Sequence, residues 1–201
     1  MKVVTYPHPS LRFPARPIKI IDAATRKLVE EMTEVMFAHK GLGLAAPQVA
    51  LPYQLFLMVP HGDATPEQVR VYINPVISDR KGTVEGEEGC LSFPQLYQKV
   101  RRAKQIRVRG FNQHGQPVDE VLQDLEARIV QHETDHLHGK LFIDYFGLIA
   151  KLASRDDLAA FEREYRREQQ KGTLPADKVL LKQLEELAAA MPGPPPAGMV
   201  M

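Results

Sequence analysis

His132-Glu133-Thr134-Asp135-His136 is the stretch that decides how this chain is read. It lies in a run from Leu122 to about Leu137 in which Leu125, Ile129 and His132 recur in helical step. Gly139 follows where a helix-ending C′ glycine is expected. At about 100° per residue, positions 132 and 136 stand roughly 40° apart on one helix face. Two imidazoles so placed can share one metal at about 2.0–2.1 Å each. Glu133 sits beside them, where a carboxylate can take a proton from an activated water. In a chain of this composition the HExxH pattern arises by chance about 0.02 times, so coincidence is a minor competitor. The pattern points to a metal-dependent hydrolase.

Upstream of this helix, residues 5–17 carry Pro7, Pro9, Pro14 and Pro17 and should be extended and irregular. Asp22 reads as an N-cap for a helix from Ala23 to about His39, with Leu28, Met32, Val35 and Met36 in step and Gly41 as its stop. The segment Gly41-Leu42-Gly43-Leu44-Ala45-Ala46-Pro47-Gln48 is too rich in Gly and Ala for an ordinary strand or helix. Strands are expected at 55–59, at 69–73 continuing extended over 76–82, at 98–100, at 105–111 and after the turn at 112–117. An acidic, Gly-rich segment spans 85–92. Downstream, charged helices are expected over 154–171 and 177–191, and Pro192 to Met201 should be disordered. Strands first, with helices between and after them, argue for an α+β fold.

The bulk composition narrows the function classes. The 201 residues give 44% hydrophobic and 25% charged, which describes a globular chain with a real core. A net charge of +1, from 26 basic and 25 acidic residues, gives no sign of sequence-specific nucleic-acid binding. No apolar run is long enough to span a bilayer, and Met1 to Arg12 contains no apolar signal core, so the expectation is a cytoplasmic protein without a membrane partner.

Catalytic sites of the zinc type keep three protein ligands and one open position. The continuation HExxHxxGxxH fits at Gly139 but fails at Phe142, which cannot bind metal. Glu162 or Glu164, on the later charged helix, would complete a zinc endopeptidase site. Cys90 is the third candidate. A thiolate binds such metals well, and its setting, Glu88-Gly89-Cys90-Leu91-Ser92, allows close backbone approach to a ligand. A metal-binding module without catalysis is a further alternative.

Three segments in this order, Gly41 to Gln48, Glu88 to Ser92 and His132 to His136, resemble the GxGxAAxQ, EGCxS and HExDH motifs of the peptide deformylases. Tyr6-Pro7-His8-Pro9-Ser10-Leu11-Arg12 and Ile73-Asn74-Pro75 extend the resemblance, which covers about residues 1–146. It implies removal of the formyl group from the N-terminal formylmethionine of new polypeptides, releasing formate. It implies antiparallel or mixed β-sheets packed around a central HExxH helix, with a C-terminal helical extension. A catalytic domain over 1–171 and an extension with a Pro-rich tail over 172–201 follow. The resemblance assigns Cys90, His132 and His136 to the metal, with Fe2+ as the native ion and Zn2+, Ni2+ or Co2+ as substitutes. It assigns Glu133 as the base, and the Gln48 amide and Leu91 backbone N–H as oxyanion donors. Leu42, Gly43, Gly89, Leu125 and Ile129 would contact substrate. N-formylmethionyl nascent peptides are the implied partners, with the ribosome inferred through the family.

Overall fold

The computed structural model describes residues 1–190. Five antiparallel strands form one sheet: β1 (Gly43–Ala45), β2 (Leu55–Met58), β3 (Arg70–Lys81), β6 (Gln105–Phe111) and β7 (Pro117–Gln123), in the order β1-β2-β3-β6-β7. A separate hairpin pairs β4 (Val84–Cys90) with β5 (Phe93–Arg102). The helices are α1 (Ala23–Ala38), α2 (Asp124–Leu137), α3 (Leu148–Ala153), α4 (Arg155–Gln170) and α5 (Asp177–Ala189). The α+β expectation holds, with antiparallel pairing throughout both sheets.

Strand β2 shows how the layers form. Its four residues are all apolar and all buried. Side chains alternate across a strand, so Leu55 and Leu57 join Met32 and Met36 of α1 on one face, while Phe56 and Met58 join Ile129 and Val130 of α2 on the other. A third apolar cluster ties β5 to the chain beyond α2, through Phe93, Val100, Phe142 and Phe146. Phe142, which excluded a third histidine, is thus a core residue, packed edge-on against Phe93.

Several boundaries differ from expectation. Helix α2 starts at Asp124 because Leu122 is still paired with Ile106 in the β6–β7 ladder. Lys40, at φ 54°, rather than Gly41, takes the left-handed position after α1. Residues 70–81 form one strand, bent at Asn74 (φ 52°), whose side-chain amide clamps the backbone of Ile18 in two 2.8 Å hydrogen bonds. The acidic segment at 85–92 proves to be mostly strand β4. Helix α3 was not expected. The Asp22 cap stands, its carboxylate accepting from Thr25 N–H at 3.0 Å. Helix α5 matches its expected range over the described residues; the expected disorder of 192–201 lies outside them.

Candidate metal centre

Helix α2 carries the decisive side chains. Asp124 and Glu126 sit in its first turn, where negative charge suits the helix dipole. Gly139, at φ 67°, closes its far end: Gly139 N–H donates to His136 O and Lys140 N–H to Asp135 O, the paired bonds of a Schellman motif. Between these ends the rings of His132 and His136 lie 5.1 Å apart. Cys90, at the end of β4, brings its sulfur to 3.4 Å from His136 Nε2. The ligand atoms of Cys90, His132 and His136 all lie within 4.8 Å of one another, and no other such trio of His, Cys, Asp or Glu occurs among the described residues. A thiolate and two imidazoles suit a divalent first-row metal, and three donors leave a position open.

The ring nitrogens of His132 are assigned by a residue to which the sequence reading gave no role. Glu88 Oε2 lies 2.9 Å from His132 Nδ1, which leaves Nε2 for a metal. A metal-bound histidine ordinarily donates its other N–H to such an acceptor, so an acid beside the Gly-Cys pair was a usable signal. Glu88 is in turn gripped by Arg102, through 2.9 Å bonds from Nε and Nη2, and by Arg128 Nη1 at 2.7 Å. Arg102 also pairs with Asp135, which accepts from Tyr145 Oη at 2.9 Å. Asp135 therefore belongs to this support rather than to the solvent-facing surface, whereas His138 is exposed.

The buried charges shift accordingly. Burial pushes the Glu88 carboxyl up, but its bonds to His132 and Arg102 outweigh that and hold it at about 2. Burial lowers His132 too, yet Cys90 and Glu88 raise it well above its ordinary value. His136 is held well below its ordinary value, by burial and then by the neighbouring His132. Because Glu88 is depressed in the folded state from 4.5, the stability it lends is complete above that value and drains as the pH falls toward about 2. Glu88→Ala should remove this acid-side loss and strand two buried guanidinium groups. We expect it to cost about 3–5 kcal/mol of folding stability. Denaturant titrations at neutral and acid pH measure both effects; wild-type-like stability at neutral pH would contradict the buried pairing.

Gln48 sits in the 3-10 turn Ala46–Val49 that follows β1 and is 1% exposed, so it is no loose loop amide. Ala45 N–H donates to its Oε1 at 2.8 Å. A backbone N–H can only donate, so the amide orientation is fixed. Its Nε2 faces Cys90 Sγ at 3.3 Å and Ser92 Oγ at 3.4 Å. Glu133 is buried, and its Oε2 has no hydrogen-bond partner among the described residues. Burial, reinforced by Glu88 and opposed by His132, pushes its carboxyl up to about 7. Gly43 explains how the carboxylate fits: a Cβ there would lie 2.4 Å from Glu133 Oε1.

A cavity of about 640 Å³ opens over these groups. Leu42, Leu125 and Ile129 line it, as do Gly43, Gln48, Gly89, Cys90, Leu91, His132 and Glu133. His136 is 1% exposed and lies outside this lining. At Gly89 a Cβ would meet the Tyr97 ring at 2.5 Å, so that glycine makes room for a cross-strand neighbour. Glu162 and Glu164 are not part of the centre: Glu162 accepts from Tyr6 and Arg166, and Glu164 pairs with Arg167.

A thiolate and two imidazoles converging beside a buried carboxylate, on an antiparallel α+β scaffold, define a metallohydrolase. The family model described as polypeptide deformylase matches residues 1–151. A peptide deformylase from Rhodopirellula baltica is 37% identical over 193 residues, covering 96% of each chain. One from Alkalilimnicola ehrlichii is 40% identical over 169 residues, 83% of this chain and 93% of that one. Among solved structures, the peptide deformylase of Thermus thermophilus superposes with a TM-score of 0.74 at 41% identity, covering 81% of this chain and 97% of its own. That of Plasmodium falciparum gives 0.80 at 33% identity, covering 83% and 98%. The chain belongs to the polypeptide deformylase family, metal-dependent hydrolases that remove the formyl group from the N-terminal formylmethionine of nascent polypeptides.

Proposed function

We propose that Cys90, His132 and His136 hold one Fe2+ ion in this deformylase, that Glu133 is its proton carrier, and that Gln48 and Leu91 bind the developing oxyanion. The convergence of the Cys90 sulfur with both imidazoles is the observation that carries this reading. When bound, the cation supplies Lewis acidity, which acidifies water and polarises the formyl carbonyl. Glu133 accepts the proton of the attacking water and returns it to the leaving amine. Burial, which raises its carboxyl above the ordinary range, suits a group that must both take and give a proton. Gln48 Nε2, oriented through Ala45, donates to the oxygen on which charge develops. Leu91 N–H is the second donor, placed at the turn directly after Cys90. Leu42, Leu125 and Ile129 offer an apolar wall for a methionine side chain, and the backbones of Gly43 and Gly89 line the same cavity for substrate contact.

Iron is chosen through the resemblance, since the donor set also accepts Zn2+, Ni2+ or Co2+. Loaded with iron, the enzyme should lose activity in air or dilute peroxide, because Fe2+ is readily oxidised and its thiolate ligand is damaged with it. The nickel-loaded enzyme should persist; equal decay of the two would count against iron redox as the cause.

We assign residues 1–171 to the catalytic domain and 172–201 to an extension. Tyr165 Oη donates to Asp177 at 2.6 Å, and Leu180 and Leu184 of α5 are buried, which supports a docked extension. Cytoplasmic location and work on chains emerging from the ribosome are proposed with the function; no helix among the described residues is long and apolar enough to cross a membrane. The direct test is formate release from formyl-Met peptides beside unformylated controls. Cleavage of internal peptide bonds without formate would instead support a peptidase.

A further inference from the structure

Helix α2 has a second cavity, of about 340 Å³, against its other face. Gln131, Thr134, Asp135 and His138 line it, whereas Ile129, His132 and Glu133 face the reaction cavity. Most of its polar lining is already partnered. Asp135 is held by Arg102 and Tyr145, and Arg102 by Glu88. Gln131 exchanges two hydrogen bonds with the backbone of Ala103.

What remains without a partner among the described residues is cationic or a hydrogen-bond donor. Arg80, Arg101 and Lys140 line the cavity, and none has a carboxylate within 4.0 Å among the described residues. That holds although Asp79 adjoins Arg80 in sequence and Glu85 stands opposite Arg101 in the β4–β5 ladder. Thr134 is 7% exposed, and its buried Oγ1 has no hydrogen-bond partner among the described residues. A buried hydroxyl without a partner is costly. Three uncompensated cations in a concave site concentrate positive potential and attract oxyanions.

We propose that this cavity, lined by Arg80, Arg101, Thr134 and Lys140, binds a phosphate group, either free or carried on a polynucleotide. Phosphate offers several acceptor oxygens at once, matching guanidinium, ammonium and hydroxyl donors. Because the cavity lies against the far face of α2, an occupant there leaves the reaction cavity open to a peptide. The site does not depend on the assignment of the metal ligands, and its binding readout is independent of deformylation.

The test uses the full chain loaded with zinc, 15N-labelled, and titrated with inorganic phosphate in one arm and a short oligouridylate in the other. Saturable amide shifts at Ala103, Thr134 and Lys140 are expected in at least one arm. Saturation by phosphate alone identifies a free anion as the ligand; saturation only by the oligonucleotide identifies a polynucleotide. The double variant R101E/K140E should weaken binding by at least about tenfold, the loss of one charge-assisted hydrogen bond, while its deformylase turnover stays unchanged. T134V should weaken binding with the charges intact. Saturation in neither arm, shifts confined to Cys90 and Leu91, or undiminished binding by R101E/K140E would each overturn the proposal.

Discussion

Glu133→Gln should keep its metal and lose roughly 10²–10⁴-fold in turnover, the usual worth of a positioned general base. The substitution is nearly isosteric, and Glu133 lies outside the trio of converging ligand atoms. Metal content measured on purified variant and wild type should therefore agree, while formate release separates them. The pH profile sharpens the test. Burial holds the Glu133 carboxyl at about 7 in the metal-free protein. A cation at the neighbouring trio stabilises the carboxylate, so the acid limb of the loaded enzyme should fall below that value. The limb should disappear in the variant, which has no carboxyl to titrate. A variant that kept both rate and limb would remove Glu133 from the mechanism. Gly43→Ala is the companion measurement. Its new Cβ would crowd Oε1, so turnover should drop although every proposed ligand and donor is still present.

What was legible in the sequence were features set by local spacing. Two histidines four residues apart share a helix face wherever that helix lies, and the α2 pattern needed no tertiary knowledge. Strand β6 is similar: Ile106 and Val108 alternate inward along a run that matches its expected bounds. Strand β4 was not legible, because Glu85-Gly86-Glu87-Glu88-Gly89 has the composition of a loop and becomes a strand only through its ladder with β5. The same ladder decides Arg101 and Arg102. Neighbouring arginines on a strand point to opposite faces, so one is exposed and the other is 5% exposed and bonded to Glu88. Nothing in the pair itself says which is which. The support of His132 thus depends on contacts between residues 14 to 44 positions apart. Cys90 stood out because it is the only cysteine of the chain and follows a glycine, but its meeting with His136 depended on β4 being a strand.

That dependence makes Cys90→Ala the most demanding test of the metal centre. Removing the sulfur leaves two imidazoles on one helix, and Glu133, whose Oε2 has no partner among the described residues, lies outside the trio of converging ligand atoms. Glu88 is committed to His132, Arg102 and Arg128. Glu162 is engaged with Tyr6 and Arg166. Metal affinity should therefore fall by more than the roughly 10–100-fold that follows loss of a ligand's hydrogen-bond partner, and the purified variant should carry well below one ion per chain. Folding should survive, because Cys90 is only half-buried and the hairpin is held by its ladder and by Phe93 and Val100. Elemental analysis beside a thermal melt separates the two outcomes. A folded variant with full occupancy would mean that the sulfur is not a ligand. The open edge of the site, with the amide of Gln48 now facing an alanine, would then have to be explained by some other donor.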